Sequence, residues 1–308
     1  MRVAEVTGFG GPEVLQIGER PDPVAGTGQL VVAIHAATIN PTDLGTRSGQ
    51  ARRRLADLVP PFVPGWDLAG EVTGVGQGVS AYALGDRVVG MIPFVRIGGR
   101  VGAYAEAAAV QPGWLAPLDP AVSFEEGATL PLNALTAREA LRRLALPAGA
   151  RLLITGAAGG VGAFATQLAV AAGLEVIALA GRHDEEWVAE LGPAQVLPRD
   201  ADLGAIEPVD GVLDAVPLGP AVSTGALRDD GIAVFTRPPD PPEPERELRF
   251  ESFLVSPDAT GLRELAAQLA AGELRTRVAR TLPLEKAAEG HRLVEAGGLG
   301  GKVVLTTR

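Results

Sequence analysis

The sequence predicts an α/β chain in which a mostly-β domain is joined to a doubly wound parallel sheet, and three observations predict it. The first third is built of short β-branched runs, strand and helix patterns alternate after residue 150, and a glycine loop stands between the first such strand and helix. At 308 residues the chain exceeds one average domain and falls short of three, so two packed domains are expected. Hydrophobic residues at 46% against 21% charged ones place it among globular chains, and its 40 glycines and 25 prolines, scattered along the chain, mark turns rather than a linker.

Arg2 to Thr7, Leu30 to Thr38, Ala69 to Val75 and Arg87 to Met91 are β-branched runs punctuated by Gly, Pro or Asp. Many short strands with glycine turns form either a barrel or a sandwich. From Phe124 to Leu144 the spacing becomes helical, with Ala128, Leu132, Leu135, Ala140 and Leu144 broadly on one face. Pro131 interrupts it, because a proline ring crowds the preceding turn, so a kinked or two-part helix is expected.

Beyond it, Arg151 to Thr155, Glu175 to Ala180 and Gln195 to Leu197 read as strands, with helices from Gly160 to Ala172 and from Glu185 to Leu191 between them. This order implies parallel pairing with right-handed crossovers. Further strands at Gly211 to Ala215, Gly231 to Thr236 and Arg249 to Val255 bring the sheet to about six, with a proline-rich loop from Pro238 to Pro244 before the last. A strand from Val278 to Leu282, a helix from Leu284 to Glu295 and a final strand from Lys302 to Thr306 break the alternation and are expected to rejoin the first domain.

Composition narrows the function. A net charge of −10 and a pI near 4.9 repel phosphate backbones and anionic lipid, so neither nucleic acid nor a membrane is an expected partner. The short basic run Arg52 to Arg54 lacks interleaved aromatics and reads as a solvated face. The absence of cysteine excludes disulfides, thiolate nucleophiles and cysteine-held metals. With His35, His183 and His291 widely spaced, no metal site is expected. The N-terminus, Met1-Arg2-Val3-Ala4-Glu5, shows no apolar segment of signal-peptide length, and a cytoplasmic location is expected. Leu152 to Leu174 is uncharged and long enough to span a bilayer, but its loop-spaced glycines argue against a membrane helix.

In the run Leu152-Leu153-Ile154-Thr155-Gly156-Ala157-Ala158-Gly159-Gly160-Val161-Gly162 the glycines come directly after a buried strand and before an apolar helix. Glycines there permit a tight turn and close approach of a pyrophosphate, and free N–H groups at the helix start attract the diphosphate, the chemistry of a Rossmann dinucleotide site. An NAD-specific unit usually ends its second strand in Asp or Glu, which bonds the ribose hydroxyls. Here that end is Leu179-Ala180-Gly181-Arg182, whose guanidinium suits a 2′-phosphate, so NADPH is the expected cofactor. Asp184 and Glu185 lie just beyond and face either the ribose or solvent.

Other motifs are Asn40-Pro41-Thr42-Asp43 with Arg47-Ser48-Gly49, Val63-Pro64-Gly65-Trp66-Asp67-Leu68-Ala69-Gly70-Glu71-Val72, and Gly85-Asp86-Arg87-Val88. Gly102-Ala103-Tyr104-Ala105-Glu106, Leu130-Pro131 with Leu135-Thr136-Ala137, and Gly301-Lys302-Val303-Val304-Leu305 complete the set. Taken in order, they resemble the zinc-free quinone oxidoreductase (zeta-crystallin-like) branch of the medium-chain dehydrogenase/reductase superfamily, almost end to end. The resemblance implies a GroES-like catalytic domain at 1–118, a Rossmann NADPH-binding domain at 119–270, a C-terminal return to the catalytic domain at 271–308, and a homodimer. It also implies that Asn40 contacts the nicotinamide or its ribose, that Thr136 lines the nicotinamide side, and that Gly156, Ala158, Gly159, Gly160, Val161 and Gly162 cradle the diphosphate.

Zinc relatives place Cys and His-Glu ligands where this chain has Asn40 and Trp66-Asp67. Asp43 reads as a helix cap, Asp67 as a partner for a buried Arg or backbone N–H, and Tyr104 as a structural hydrogen-bonded tyrosine. The chain departs from the family pattern twice. Where many relatives have a tyrosine after the Arg-Ser-Gly run, this chain has Ala51. Where relatives hold the 2′-phosphate with a lysine and a tyrosine, it has Asp184-Glu185 and Pro198-Arg199, so Gly181, Arg182 and Arg199 are the candidate phosphate contacts.

The implied activity is hydride transfer from NADPH to a quinone or an α,β-unsaturated carbonyl, which needs alignment and charge stabilisation more than a dedicated acid. Phe62, Trp66 and Phe94 form either an apolar substrate wall or ordinary core. Two other readings share the fold: a non-catalytic NADPH-binding sensor or scaffold, and a zinc-independent enoyl-thioester reductase.

Overall fold

The computed structural model describes residues 1–50, 58–216, 218, 223–237 and 248–307. Ala51, Arg52 to Arg54 and the Pro238 to Pro244 loop lie outside the described residues. The chain divides into two compact units, Met1–Leu132 with Ser256–Arg308, and Asn133–Val255.

In the first unit, β1 (Arg2–Val6) and β2 (Leu15–Glu19) form an antiparallel pair. The other strands are β3 (Leu30–Ile39), β4 (Asp67–Val75), β5 (Arg87–Met91), β6 (Ala107–Val110), β7 (Leu115–Pro117), β14 (Val278–Pro283) and β15 (Lys302–Thr306). They make one sheet in the order β14-β15-β3-β4-β5-β7, with β6 pairing β3. The centre is β3: β4 pairs along one edge, while β15 and β6 share the other, at Ala36 to Ile39 and Leu30 to Ala33. Nine of its ten residues are buried, which accounts for a near-continuous apolar run where a half-exposed strand would alternate.

Short helices close this unit. The helix α1 (Pro41–Ser48) starts with proline, whose missing N–H costs nothing at the first helical position, and ends at Gly49 in the left-handed region. The expected two-part helix is α2 (Phe124–Ala128), in this unit and opened by a Ser123–Glu126 capping box, and α3 (Pro131–Leu144), which belongs to the second unit from Asn133 on. In the second unit lie α4 (Gly160–Ala171) and α5 (Glu185–Ala189). The C-terminal segment adds α6 (Ala259–Ala270), capped by Asp258, and α7 (Ala287–Ala296) to the first unit.

The second unit carries β8 (Arg151–Thr155), β9 (Glu175–Ala180), β10 (Gln195–Pro198), β11 (Val209–Asp214), β12 (Leu227–Phe235) and β13 (Arg249–Ser252). All are parallel, in the order β10-β9-β8-β11-β12-β13. Leu153, Ile177, Leu179, Val212 and Phe235 form its core, each worth about 1.5–3 kcal/mol on burial. Strand order reverses between β8 and β11, and ligands of such sheets bind beyond the carboxyl ends at that reversal.

The contact boundaries, Leu132/Asn133 and Val255/Ser256, differ from 118 and 270. The cause is packing: α2 lies on β3, β4 and β5, and α6 lies on β5 and β7, so both helices belong to the first unit's core.

Candidate functional site

The glycine loop follows β8 at the strand-order reversal. Gly156 has φ +62°, a conformation that L side chains rarely adopt. Its neighbour Ala157 donates its N–H to Leu179 O at 3.0 Å, tying the loop to β9. A Cβ at Gly162 would overlap the Gly156 carbonyl oxygen and lie 2.9 Å from Ala157 Cα, so only glycine lets the helix come this close to the loop. The first intrahelical bond of α4 is Ala163 N–H to Gly159 O, at 2.9 Å. The N–H groups of Gly160, Val161 and Gly162 precede it, the donor array a diphosphate would take. Gly159 is exposed and Ala158 half-buried, so the loop presents backbone rather than side chains. These features fit a dinucleotide.

Two neighbours of the loop carry polar groups. On α3, Asn133 is buried with its carboxamide against Gly160, and Thr136, also buried, follows one turn later on the same face. At the ends of β8 and β11, Thr155 Oγ1 donates to Asp214 Oδ1 at 2.6 Å and accepts the N–H groups of Ala215 and Val216 at 3.1 and 3.3 Å. Burial raises the Asp214 carboxyl above its ordinary value, against hydrogen bonds that lower it. Sequence reasoning passed over Asn133, Thr155 and Asp214. The available signal was a polar residue closing each apolar strand, Leu152-Leu153-Ile154-Thr155 and Gly211-Val212-Leu213-Asp214.

Where β9 ends, Ala180 passes into Gly181 and a 3-10 turn over Arg182–Asp184. Arg199, beyond β10, brings Nη2 to 3.9 Å from where a Gly181 Cβ would stand. The structure thus gathers Gly181, Arg182 and Arg199 at one strand end, with both arginines exposed.

The first unit holds a buried polar cluster around Asn40. Asn40 caps α1, and its N–H donates to Asp43 Oδ2 at 2.9 Å. Its Nδ2 donates to Asp67 Oδ2 at 2.7 Å, and its Oδ1 accepts from Lys302 Nζ at 2.7 Å. Asp67 also accepts the Leu132 N–H, at 2.7 Å, in the first turn of α3. Burial, against these hydrogen bonds, pushes the Asp67 carboxyl up to about 6 and Asp43 to about 8. Lys302 falls to about 8 by burial, although Asp67 and Asp43 pull it upward. Asp43 serves the capping of α1, as its position suggested, by accepting the Asn40 N–H from the third helical position, and Asp67 pairs with a backbone N–H and the Asn40 amide rather than with an arginine.

A second layer adjoins it. Arg47 donates to His291 Nδ1 at 3.2 Å and to Glu295. Because a guanidinium only donates, His291 Nδ1 accepts, and its Nε2–H donates to the Tyr104 oxygen at 3.1 Å. Phe62, Trp66 and Phe94 pack on one another, with ring centroids 5.2 and 6.5 Å apart, and each is at most 1% exposed. They are core, not a substrate wall. Among the described residues no group of three or more His, Asp or Glu could hold a metal, and no helix is long and apolar enough to cross a membrane.

Comparison with known proteins bears on this geometry. The alcohol dehydrogenase GroES-like domain model matches residues 26–120, and a model described as zinc-binding dehydrogenase matches residues 188–305. The quinone oxidoreductase of Mus musculus is 30% identical over 335 residues, covering 99% of this chain and 97% of its own. A solved quinone oxidoreductase from Coxiella burnetii matches with a TM-score of 0.89 at 29% identity, covering 100% of this chain and 99% of its own. An NAD-dependent alcohol dehydrogenase structure matches at 0.88 and 30%, over 100% of both chains. With its GroES-like domain and all-parallel second sheet, the chain belongs to the quinone oxidoreductase (zeta-crystallin-like) branch of the medium-chain dehydrogenase/reductases, oxidoreductases that work with a nicotinamide nucleotide.

Proposed function

We propose that this oxidoreductase uses NADPH, without a metal, to reduce a quinone or an α,β-unsaturated carbonyl. The observation that carries the cofactor choice is the end of β9, which bears no carboxylate and has the exposed guanidiniums of Arg182 and Arg199 around Gly181. The substrate class follows the quinone oxidoreductases of Mus musculus and Coxiella burnetii.

Bound NADPH supplies the hydride. In this reading the N–H groups of Gly160, Val161 and Gly162 bind the diphosphate, with Gly156, Ala158 and Gly159 shaping the turn that cradles it. Asn40 contacts the nicotinamide or its ribose, and Thr136 lines the nicotinamide side. Amide and hydroxyl groups orient a carboxamide without adding charge, and the residues raise the rate by alignment. Metal independence is supported by the absence of cysteine and by Asn40 and Trp66-Asp67 at the positions of the zinc relatives' ligands. The reading includes a homodimer and a cytoplasmic location.

Steady-state oxidation of NADPH and NADH against a series of quinones and enones tests this. Turnover with NADPH preferred supports it, and no turnover with either class overturns it. A non-catalytic NADPH sensor is the second reading, favoured by one observation: both ends of the Asn40 amide are already bonded within its own unit. Saturable NADPH binding without turnover of quinones, enones or thioesters selects it.

A further inference from the structure

An asparagine amide can stand in two orientations that exchange its oxygen and nitrogen, and only its partners decide between them. In this chain the partners are charged and of opposite kind. The two strands that flank the end of β3 each begin with an ionisable residue: Lys302 opens β15 and Asp67 opens β4. The pairings Val303 with Ile39 and Asp67 with Thr38 bring these residues to either side of Asn40, the residue that follows β3. An ammonium only donates and a carboxylate only accepts, so the contacts of Lys302 Nζ to Oδ1 and of Nδ2 to Asp67, both 2.7 Å, admit one amide orientation. The flipped amide would set N–H against ammonium and oxygen against carboxylate.

We infer that Lys302 is a positioning residue for the proposed hydride transfer: its ammonium, opposed by the Asp67 carboxylate, fixes the orientation of the Asn40 carboxamide. This rests on the reading of Asn40 as a nicotinamide contact. The lysine acts through Asn40 and touches no substrate. The charged groups whose fields reach Lys302 are Asp67 from β4 and Asp43 from α1, and burial nonetheless brings it down to about 8. Beyond them, Tyr104 from the Gly102 to Glu106 segment, Arg47 from α1 and His291 from α7 form the adjoining layer. Deprotonating Lys302 would leave an amine that can also accept, and the restriction on the amide would relax.

The test exploits composition, since the chain has only two lysines, Lys286 and Lys302. In the apoprotein labelled with 13C- and 15N-lysine, two side-chain signals are followed with pH and assigned with Lys302→Arg. The expected result is one signal titrating near 8, with the Asn40 side-chain amide resonances, assigned with Asn40→Ser, moving at the same midpoint. Asn40 signals that do not move with the titration of Lys302, at whatever pH it occurs, overturn the inference. In the loaded enzyme, Lys302→Met is expected to lower kcat/KM for NADPH about tenfold or more. Lys302→Arg should stay within about threefold of wild type and move the alkaline limb of NADPH affinity and of kcat/KM upward, because arginine stays protonated. If Lys302→Met does not fold, the arginine variant and the apoprotein titration still decide, and an alkaline limb unchanged in Lys302→Arg overturns the inference. Failure of wild type to bind NADPH or turn over quinones and enones contradicts the functional reading alone, because the apoprotein titration is read without cofactor.

Discussion

Gly162 stands so close to Gly156 that a Cβ on the first would overlap the carbonyl oxygen of the second. This packs the start of α4 against the turn that leaves β8. Gly162→Ala should cost about 1–3 kcal/mol of stability and weaken NADPH binding with it, because backbone cannot yield as a flexible side chain does. Gly159→Ala is the control: a Cβ there finds its nearest neighbour at 3.2 Å, and its φ of −77° suits any residue, so the stability loss should stay under about 1 kcal/mol. Urea denaturation and nucleotide titration of both variants check this.

Arg182→Ala and Arg199→Ala should each raise the dissociation constant for NADPH about tenfold or more, the loss of one charge-assisted bond to a phosphate. The constant for NADH should hardly move. Calorimetric titration with both nucleotides checks it, and an equal loss for both would remove the arginines from the 2′-phosphate.

Thr155→Val keeps the shape of the side chain but deprives buried Asp214 of a donor and the Ala215 and Val216 N–H groups of an acceptor. It should cost about 1–3 kcal/mol, whereas Thr155→Ser, which keeps the hydroxyl, should cost less. Denaturation midpoints of the two variants give the comparison.

His291 is held down to about 3 by burial and by the charge of Arg47. Its ordinary value is 6.5, so between 6.5 and 3 the unfolded chain binds the extra proton, and this contribution to stability is lost as pH falls. Asp43 and Asp67, raised to about 8 and about 6, run the other way, losing their contribution as pH rises. Comparing wild type with His291→Gln isolates the histidine: wild type should lose stability relative to the variant as pH falls from 7 to about 4, as followed by denaturation at each pH.

Much of the fold was legible because the second unit's strands are apolar runs with sharp ends. Arg151–Thr155 and Glu175–Ala180 stop where Gly and polar residues begin. Strands β6 (Ala-Ala-Ala-Val) and β2, with one buried residue, carry weak β patterns and take their form from their neighbours. The helix α1 includes Gly45 and is secured mainly by its ends, so periodicity does not announce it. Helix α6 has a readable amphipathic pattern, with Leu262, Leu265 and Ala266 buried, but its place in the first unit follows from packing on β7 rather than from the βα alternation. In the candidate site, the glycine loop is local and could be read. The contact of Asn40 with Lys302 joins residues 262 apart and exists only because β15 pairs with β3, which no local pattern reveals.

The proposed chemistry depends on the loop from Gly156 to Gly162 holding a nicotinamide dinucleotide. Fluorescence titration of NADPH against purified wild type and Gly162→Ala tests it most directly. A saturable blue shift or intensity change is expected with wild type, weakened in the variant. An emission spectrum unchanged by wild-type protein up to millimolar concentration would contradict it.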